Sequence, residues 1–151
     1  MLETLLAPPF AADPPIKLNI PAKTLGLILA ILGAISAFFG ILGVFALLGV
    51  SAIAAAYGGI FLLAVIGVIV GEIGAVVGAW GGYQMYKGNR DGKRLAIYGV
   101  LLNVVGSLIA AIGGSGGLVG WIFGALISFV VYYLIVISRF PDDLPVVAKT
   151  A

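Results

Sequence analysis

The chain has 151 residues, of which 62% are hydrophobic and only 9% are charged, and its mean hydropathy is +1.24. Soluble domains carry about 25% charged residues, so this composition excludes an ordinary soluble protein and predicts an integral membrane protein. Histidine and cysteine are absent, which removes the commonest metal ligands, the usual haem ligand and any disulfide; we therefore expect no metal and no cofactor. The net charge of +2 comes without a basic patch interleaved with aromatic residues, so we expect no nucleic-acid binding.

The first 22 residues form a proline-rich segment. Prolines recur throughout residues 1–22 and predict an extended, non-helical path. The segment has neither a basic start nor an uninterrupted apolar core, so it is not predicted to be a signal peptide.

Two long apolar stretches follow this segment. Residues 24–86 contain one formal charge, Glu72, and residues 95–138 contain none. A helix needs about 20 residues to cross the hydrocarbon, so the first stretch has room for two or three spans; basic residues on both sides of it require an even number. A glycine-rich turn at 113–117 divides the second stretch. The sequence thus predicts an all-α membrane domain at 23–139, an antiparallel bundle of four spans at about 24–47, 60–86, 95–112 and 118–138.

The basic residues predict the orientation of this bundle. All eight fall on one face of the arrangement, and the two opposite loops carry no charge. The positive-inside rule then places both termini, including the tail at 140–151, in the cytoplasm, with the cell membrane as the location. Aromatic belts at the two membrane edges are predicted at Trp80, Tyr83, Tyr86, Tyr98, Tyr132 and Tyr133 on the cytoplasmic side and at Tyr57 and Trp121 on the other. The residues expected to attract anionic lipid headgroups are Lys87, Arg90, Lys93 and Arg94.

The segment at 48–59 allows two interpretations. It is too apolar for an aqueous loop and too short to span the membrane. It is either an interfacial helix rich in alanine or a continuation of the second helix.

Small residues recur at alternating steps of four and three in the first three spans. This heptad spacing gives each helix one narrow stripe with almost no side chain along it, so that backbones can approach closely. We expect helix packing at these stripes rather than a glycine-lined pore. The expected packing residues are Gly26, Gly33, Gly40, Gly67, Gly71, Gly74, Gly78, Gly99 and Gly106. The fourth span keeps only part of the pattern, and we expect it to pack more loosely or to face a partner.

Glu72 is the only formally charged residue inside a predicted span. Counting at 1.5 Å per residue from the nearest basic residue places it within about 6 Å in height of one serine on each other span. One hypothesis is a proton or cation site, because ionisable groups inside a membrane commonly serve function. The other is a neutral Glu72 that donates a hydrogen bond within the bundle, since a low dielectric disfavours the charged form. The candidate site residues are Glu72, Asn103, Ser107, Ser36 and Ser128.

No enzyme signature is present. Catalytic sets that need histidine or cysteine are excluded by composition, and the Gly-x-Gly pairs do not lie between a strand and a helix. We therefore expect a non-enzymatic accessory or assembly subunit of a larger membrane complex or a homo-oligomer, with the lipid bilayer and other membrane subunits or copies of the chain as partners. The alternative is a proton- or cation-translocating channel or rotor subunit that uses Glu72.

The alternative function is consistent with a general resemblance. In length, number of spans, glycine content and a lone membrane carboxylate, Glu72, the chain resembles the doubled proteolipid of rotary ATPases. The working carboxylate of that family typically lies in the last span, whereas Glu72 lies in the second. The resemblance therefore assigns no role to any residue.

Overall fold

The structure, a computed structural model, describes residues 8–11, 14–16, 18–54, 59–114 and 117–141. Within these ranges the chain forms one short 3-10 helix and four long α-helices. Each of the four is long and apolar enough to cross a membrane, which confirms the predicted four-span helical bundle. The 3-10 helix covers Pro9–Ala11, and the α-helices are α1 (Ala22–Ala54), α2 (Gly59–Tyr86), α3 (Asp91–Ile112) and α4 (Gly117–Ile137).

The first helix is longer than the sequence predicts. Residues 48–54 continue α1, so they are neither a separate interfacial helix nor the start of the second helix. The stretch contains no proline and no charge that would end a helix. With 33 residues, α1 is about 50 Å long and exceeds the hydrocarbon thickness of about 30 Å, so it tilts or projects from the membrane. Residues 55–58 and the predicted belt residue Tyr57 lie outside the described ranges.

Helices that follow one another in the sequence pack against one another. The α2–α3 interface is the most extensive, α1–α2 comes next, and α3–α4 is smaller. Helices α1 and α4, by contrast, barely touch. The bundle is therefore a row of helices curved so that its two ends approach each other.

Close backbone contact joins α2 to α3. A Cβ added at Gly67, Gly74 or Gly81 of α2 would lie less than 3.0 Å from backbone atoms of α3. The same holds in reverse for Gly99 and Gly106 of α3 against the α2 backbone. Side chains larger than hydrogen cannot fit at these positions without separating the helices, which is how small-residue stripes act in a membrane.

The predicted packing residues Gly71 and Gly78 differ from their neighbours in α2. A Cβ at either position would meet α3 only at 3.7–4.0 Å, an ordinary contact distance. Gly71 and Gly78 lie opposite Gly106 and Gly99 of α3. Because these two glycines of α3 have no side chains, the backbones can approach there without glycine on α2. The tight contacts in α2 therefore recur every seven residues, and the glycines between them tolerate more bulk.

Small residues also bring α1 and α2 together. A Cβ at Gly26 would collide with the backbone at Gly82, and one at Gly33 would collide with Ala79. Farther along α1, a Cβ at Gly40 would collide with the side chain of Glu72. Spacing predicts packing at all three glycines but not their partners, and the third contact joins a glycine to the one formally charged residue of the predicted spans.

The hydrophobic core lies at the end of the bundle that carries Lys23, Lys87 and Arg139, here called the basic end. Met85 and Ile135 are fully buried there. Backbone hydrogen bonds join the segment before α1 to the residue after α4: the amide of Ala22 donates to the carbonyl of Arg139 at 2.8 Å, and the amide of Arg139 donates to that of Ile20 at 3.0 Å. The start of α1 is thus fastened to the end of α4.

The described part of the proline-rich segment packs against α4. The ring of Phe10 lies 6.4 Å from that of Tyr132 and 5.7 Å from that of Tyr133. The hydroxyl of Tyr133 donates to the carbonyl of Ile16 at 3.1 Å and lies 3.2 Å from its amide. These contacts hold the described part of residues 8–20, here called the strap, against α4 at the basic end.

The half of the bundle opposite the basic end, here called the open half, leaves parts of α1 and α4 uncovered, although α2 and α3 stay in contact there, as at Gly67 and Ala110. A Cβ added at Gly43 of α1, or at Gly117, Gly120 or Gly124 of α4, would meet no atom within 4 Å. This looseness of α4 is what the incomplete glycine pattern of the fourth span predicts. These glycines of α1 and α4 therefore border empty space rather than a helix of the described structure.

Candidate functional site

A cavity of about 390 Å³ opens between α2, α3 and α4 in the open half. We call it the midplane cleft. Its polar lining consists of Glu72, Asn103, Ser107 and Trp121, and the other lining residues are mainly glycine and alanine. A volume above about 300 Å³ with a few convergent polar groups is typical of binding sites.

The cleft exists because α4 is held away from its neighbours. The indole nitrogen of Trp121 donates to the carbonyl of Val104 in α3 at 3.3 Å, so this large side chain lies between the two helices. Beside it, Gly117, Gly120 and Gly124 have no side chains to fill the space. A bulky spacer next to three glycines leaves an unfilled volume.

Asn103 and Ser107 lie one helical turn apart on α3 and face the cleft together. The side-chain amide of Asn103 donates to the carbonyl of Gly71 at 3.3 Å, a bond that joins α3 to α2. The hydroxyl of Ser107 donates to the carbonyl of Val104 at 2.9 Å within its own helix. Both donors are bonded to backbone, and the side chains give the cleft a polar wall.

The carboxyl group of Glu72 lies against α1. Its Oε2 and Cδ occupy the space that a Cβ at Gly40 would need. Its Oε1 is buried and has no hydrogen-bond partner among the described residues. Glu72 also lines an apolar groove of about 370 Å³ between α1 and α2, as well as the midplane cleft. The residue therefore separates a polar cavity from an apolar one.

The five predicted site residues fall into two groups. Glu72, Asn103 and Ser107 line the midplane cleft, whereas Ser36 and Ser128 line a second cavity of about 240 Å³ that all four helices surround. Asn103 is common to both cavities. The residues of the predicted layer thus line two cavities that share Asn103, and neither Ser36 nor Ser128 lines the cavity that holds Glu72.

Sequence reasoning missed two residues of this site. Gly40 was assigned to packing alone, although it receives the carboxyl group of Glu72. Counting from Lys23 and Lys87 puts Gly40 and Glu72 within about 3 Å in height, which would have suggested the pair. Trp121 was interpreted only as a membrane-edge marker, and no sequence signal indicates its bond to the backbone of α3.

The four basic residues predicted to contact lipid headgroups have different surroundings. The ammonium group of Lys93 donates to the carbonyls of Val136 at 3.1 Å and Ser138 at 2.5 Å, so it caps the end of α4 inside the protein. The ammonium group of Lys87 lies 5.5 Å from the centre of the Tyr83 ring. Arg90 and Arg94 are exposed at the start of α3. Lys93 therefore has an internal role that the sequence pattern does not indicate.

The described residues contain no group of three or more histidine, cysteine, aspartate or glutamate side chains that could hold a metal ion. Comparisons with protein family models, with curated proteins and with solved structures found no match to this chain.

Proposed function

We propose that this protein is a non-enzymatic accessory or assembly subunit of a larger membrane complex, and that a transmembrane helix of another subunit occupies the midplane cleft. The observation that carries the proposal is the cleft itself, which brings Glu72, Asn103 and Ser107 together beside glycines that have no neighbour. Lipid chains offer no hydrogen bonds to polar groups, so membrane proteins cover such groups with protein or with water.

The glycines of α4 support a helix as the occupant. Gly117, Gly120 and Gly124 are spaced by three and four residues along one wall of the cleft. Most small residues that have this spacing in α1, α2 and α3 lie against a neighbouring helix. A helix from a partner would complete the same type of contact on α4.

The same proposal includes an orientation. The basic residues of the described structure lie at the basic end, and the opposite end carries none of them. By the positive-inside rule the basic end and both termini face the cytoplasm, in the cell membrane.

Filling the cleft tests the proposal. In a Gly120→Leu/Gly124→Leu variant the added side chains enter open space, so the protein should fold, yet the cleft is blocked. After mild solubilisation from native membranes, we expect the wild type to run as a complex of defined mass and the variant to run alone.

The matched control is Val119→Phe, which adds bulk on α4 at a residue that is 70% exposed and does not line the cleft. It should keep the complex. A complex that contains only copies of this chain would make the protein a homo-oligomer with the same docking site. A wild type that is monomeric, or a double variant that keeps its partner, would contradict the proposal.

A second candidate function has an observation of its own. The buried Oε1 of Glu72 has no hydrogen-bond partner among the described residues, and a proton or cation site inside the membrane requires such an acceptor. In this alternative the protein translocates protons or cations through Glu72. Glu72→Gln keeps the shape of the side chain and removes its charge, and it should abolish proton or sodium flux in reconstituted vesicles. Absence of flux in the wild type, or equal flux in both proteins, would exclude this function.

A further inference from the structure

A separate cavity of about 290 Å³ lies at the basic end, between the segment that precedes α1 and the residues that follow α4. Its lining residues include Lys23 and Arg139, together with Asn19 and Phe140. We propose that this cavity binds the phosphate headgroup of an anionic membrane lipid. The site lies at the opposite end from the proposed docking cleft and does not depend on the proposed function.

The backbone holds the two cationic residues at one cavity. Pro21 and Arg139 form a parallel bridge, with hydrogen bonds of 2.8 and 3.0 Å on its two sides. Lys23 follows this bridge on one chain segment and Arg139 belongs to it on the other. Main-chain atoms make these bonds, so the bridge itself does not occupy either side chain.

The charge of the cavity favours an anion. Two cationic residues line it, and its described lining contains no carboxylate. Cationic groups that line the same cavity repel each other unless a counter-charge lies near them. A guanidinium group binds phosphate through two parallel hydrogen bonds, and an ammonium group adds a compact charge, so together they suit a phosphate diester or monoester.

The surroundings favour a lipid over a soluble phosphate. The strap beside the cavity exposes apolar side chains, with Ile16 60% and Leu18 45% exposed. The four membrane-crossing helices begin or end at this level, where headgroups lie. Basic pockets at the ends of transmembrane helices are known to accept anionic headgroups.

The cavity is distinct from the basic loop at 87–94. Lys93 in that loop donates to carbonyls at the end of α4, and no residue of the loop lines the cavity. A diffuse attraction between the basic end and anionic lipid would involve both regions equally. A built site requires Lys23 and Arg139 in particular, which makes the two cases separable by mutation.

Lipid titration of the purified full-length protein tests this proposal. Phosphatidylglycerol binding is followed by native mass spectrometry, with phosphatidylcholine as the neutral reference. Lys23→Gln/Arg139→Gln should weaken phosphatidylglycerol binding at least tenfold and leave phosphatidylcholine binding unchanged. The matched control Lys87→Gln/Arg94→Gln removes the same charge from the same end and should change the affinity less than threefold.

Three results would overturn the proposal. The first is an equal loss of phosphatidylglycerol affinity in both double variants, and the second is an unchanged affinity in Lys23→Gln/Arg139→Gln. The third is displacement of the lipid by millimolar inorganic phosphate, which would indicate a soluble anion as ligand. Helix content measured by circular dichroism checks that the variants fold. If the double variant unfolds, Lys23→Gln and Arg139→Gln are titrated singly, and each should weaken binding at least threefold; unchanged affinity in both contradicts the site.

Discussion

Glycine lies against a neighbouring helix at the α2–α3 interface, whereas in the N-terminal half of α4 it borders open space. Both regions carry glycines at steps of three and four. In the first region a Cβ at Gly106 would collide with the backbone at Gly71, whereas in the second a Cβ at Gly120 would meet nothing within 4 Å. A glycine stripe in a membrane helix therefore identifies a surface that permits close approach, but not whether the approaching helix belongs to the same chain.

The difference between these regions arises from what lies opposite each stripe. Glycines of α3 lie against α2, so the backbones of the two helices are in direct contact. Between α3 and α4, by contrast, Trp121 reaches the carbonyl of Val104 and keeps the helices apart. At the basic end, Lys93 and the strap hold α4 against the rest of the bundle. The other half of α4 has no such contact with Lys93 or the strap among the described residues.

The largest expected effect separates the two glycine stripes. Gly106→Ala forces a methyl group against the backbone of α2 and should lower the free energy of unfolding by about 3 kcal/mol. Gly120→Ala meets open space and should change it by less than about 0.5 kcal/mol. Unfolding in mixed micelles with increasing sodium dodecyl sulfate measures both. Equal losses would show that α4 is packed as tightly as α3.

A second prediction concerns the fastening of α4 at the basic end. Lys93→Met removes charge-assisted hydrogen bonds to the carbonyls of Val136 and Ser138 and should cost about 2 kcal/mol in the same assay. Lys87→Met loses only an exposed contact with Tyr83 and should cost less than about 1 kcal/mol. A cost for Lys93→Met no greater than that of the control would mean that this cap does not hold α4.

The contact between α1 and α2 at Gly40 gives an intermediate effect. Gly40→Ala must displace the flexible carboxyl group of Glu72 and should cost about 1 kcal/mol. With Glu72→Ala already present, the same change should cost nothing, because the space is then free. A double-mutant cycle measures this coupling. Additive effects would show that Glu72 does not lie in the space beside Gly40.

The smallest expected effect lies at the spacer between α3 and α4. Trp121→Phe keeps most of the ring and removes the bond to the carbonyl of Val104, at a cost of about 0.5–1 kcal/mol. Trp121→Ala should also let α4 approach α3, which a spin-label pair on Ile109 and Leu118 would report as a shorter distance. An unchanged distance would show that Trp121 does not hold the cleft open.

The fold was largely predictable from hydropathy and charge, and the site only in part. Span number and packing stripes follow from the length of apolar runs and from glycine spacing, which are properties of single helices. The extension of α1 to Ala54 was missed, because an apolar stretch without breakers does not show which helix it joins. Three features of the site depend on which helices are neighbours, and the spacing of residues in one helix does not show this. They are the cap formed by Lys93, the position of Trp121 between α3 and α4, and the contact of Glu72 with Gly40.

In the proposed complex, the midplane cleft receives a helix of another subunit. A photo-activatable cross-linker at position 120, in native membranes, tests this most directly. We expect one protein adduct of defined mass, lost when Gly124→Leu is added, while a cross-linker at position 119 yields lipid adducts. Lipid adducts alone at position 120, or a protein adduct that Gly124→Leu leaves unchanged, would contradict the claim.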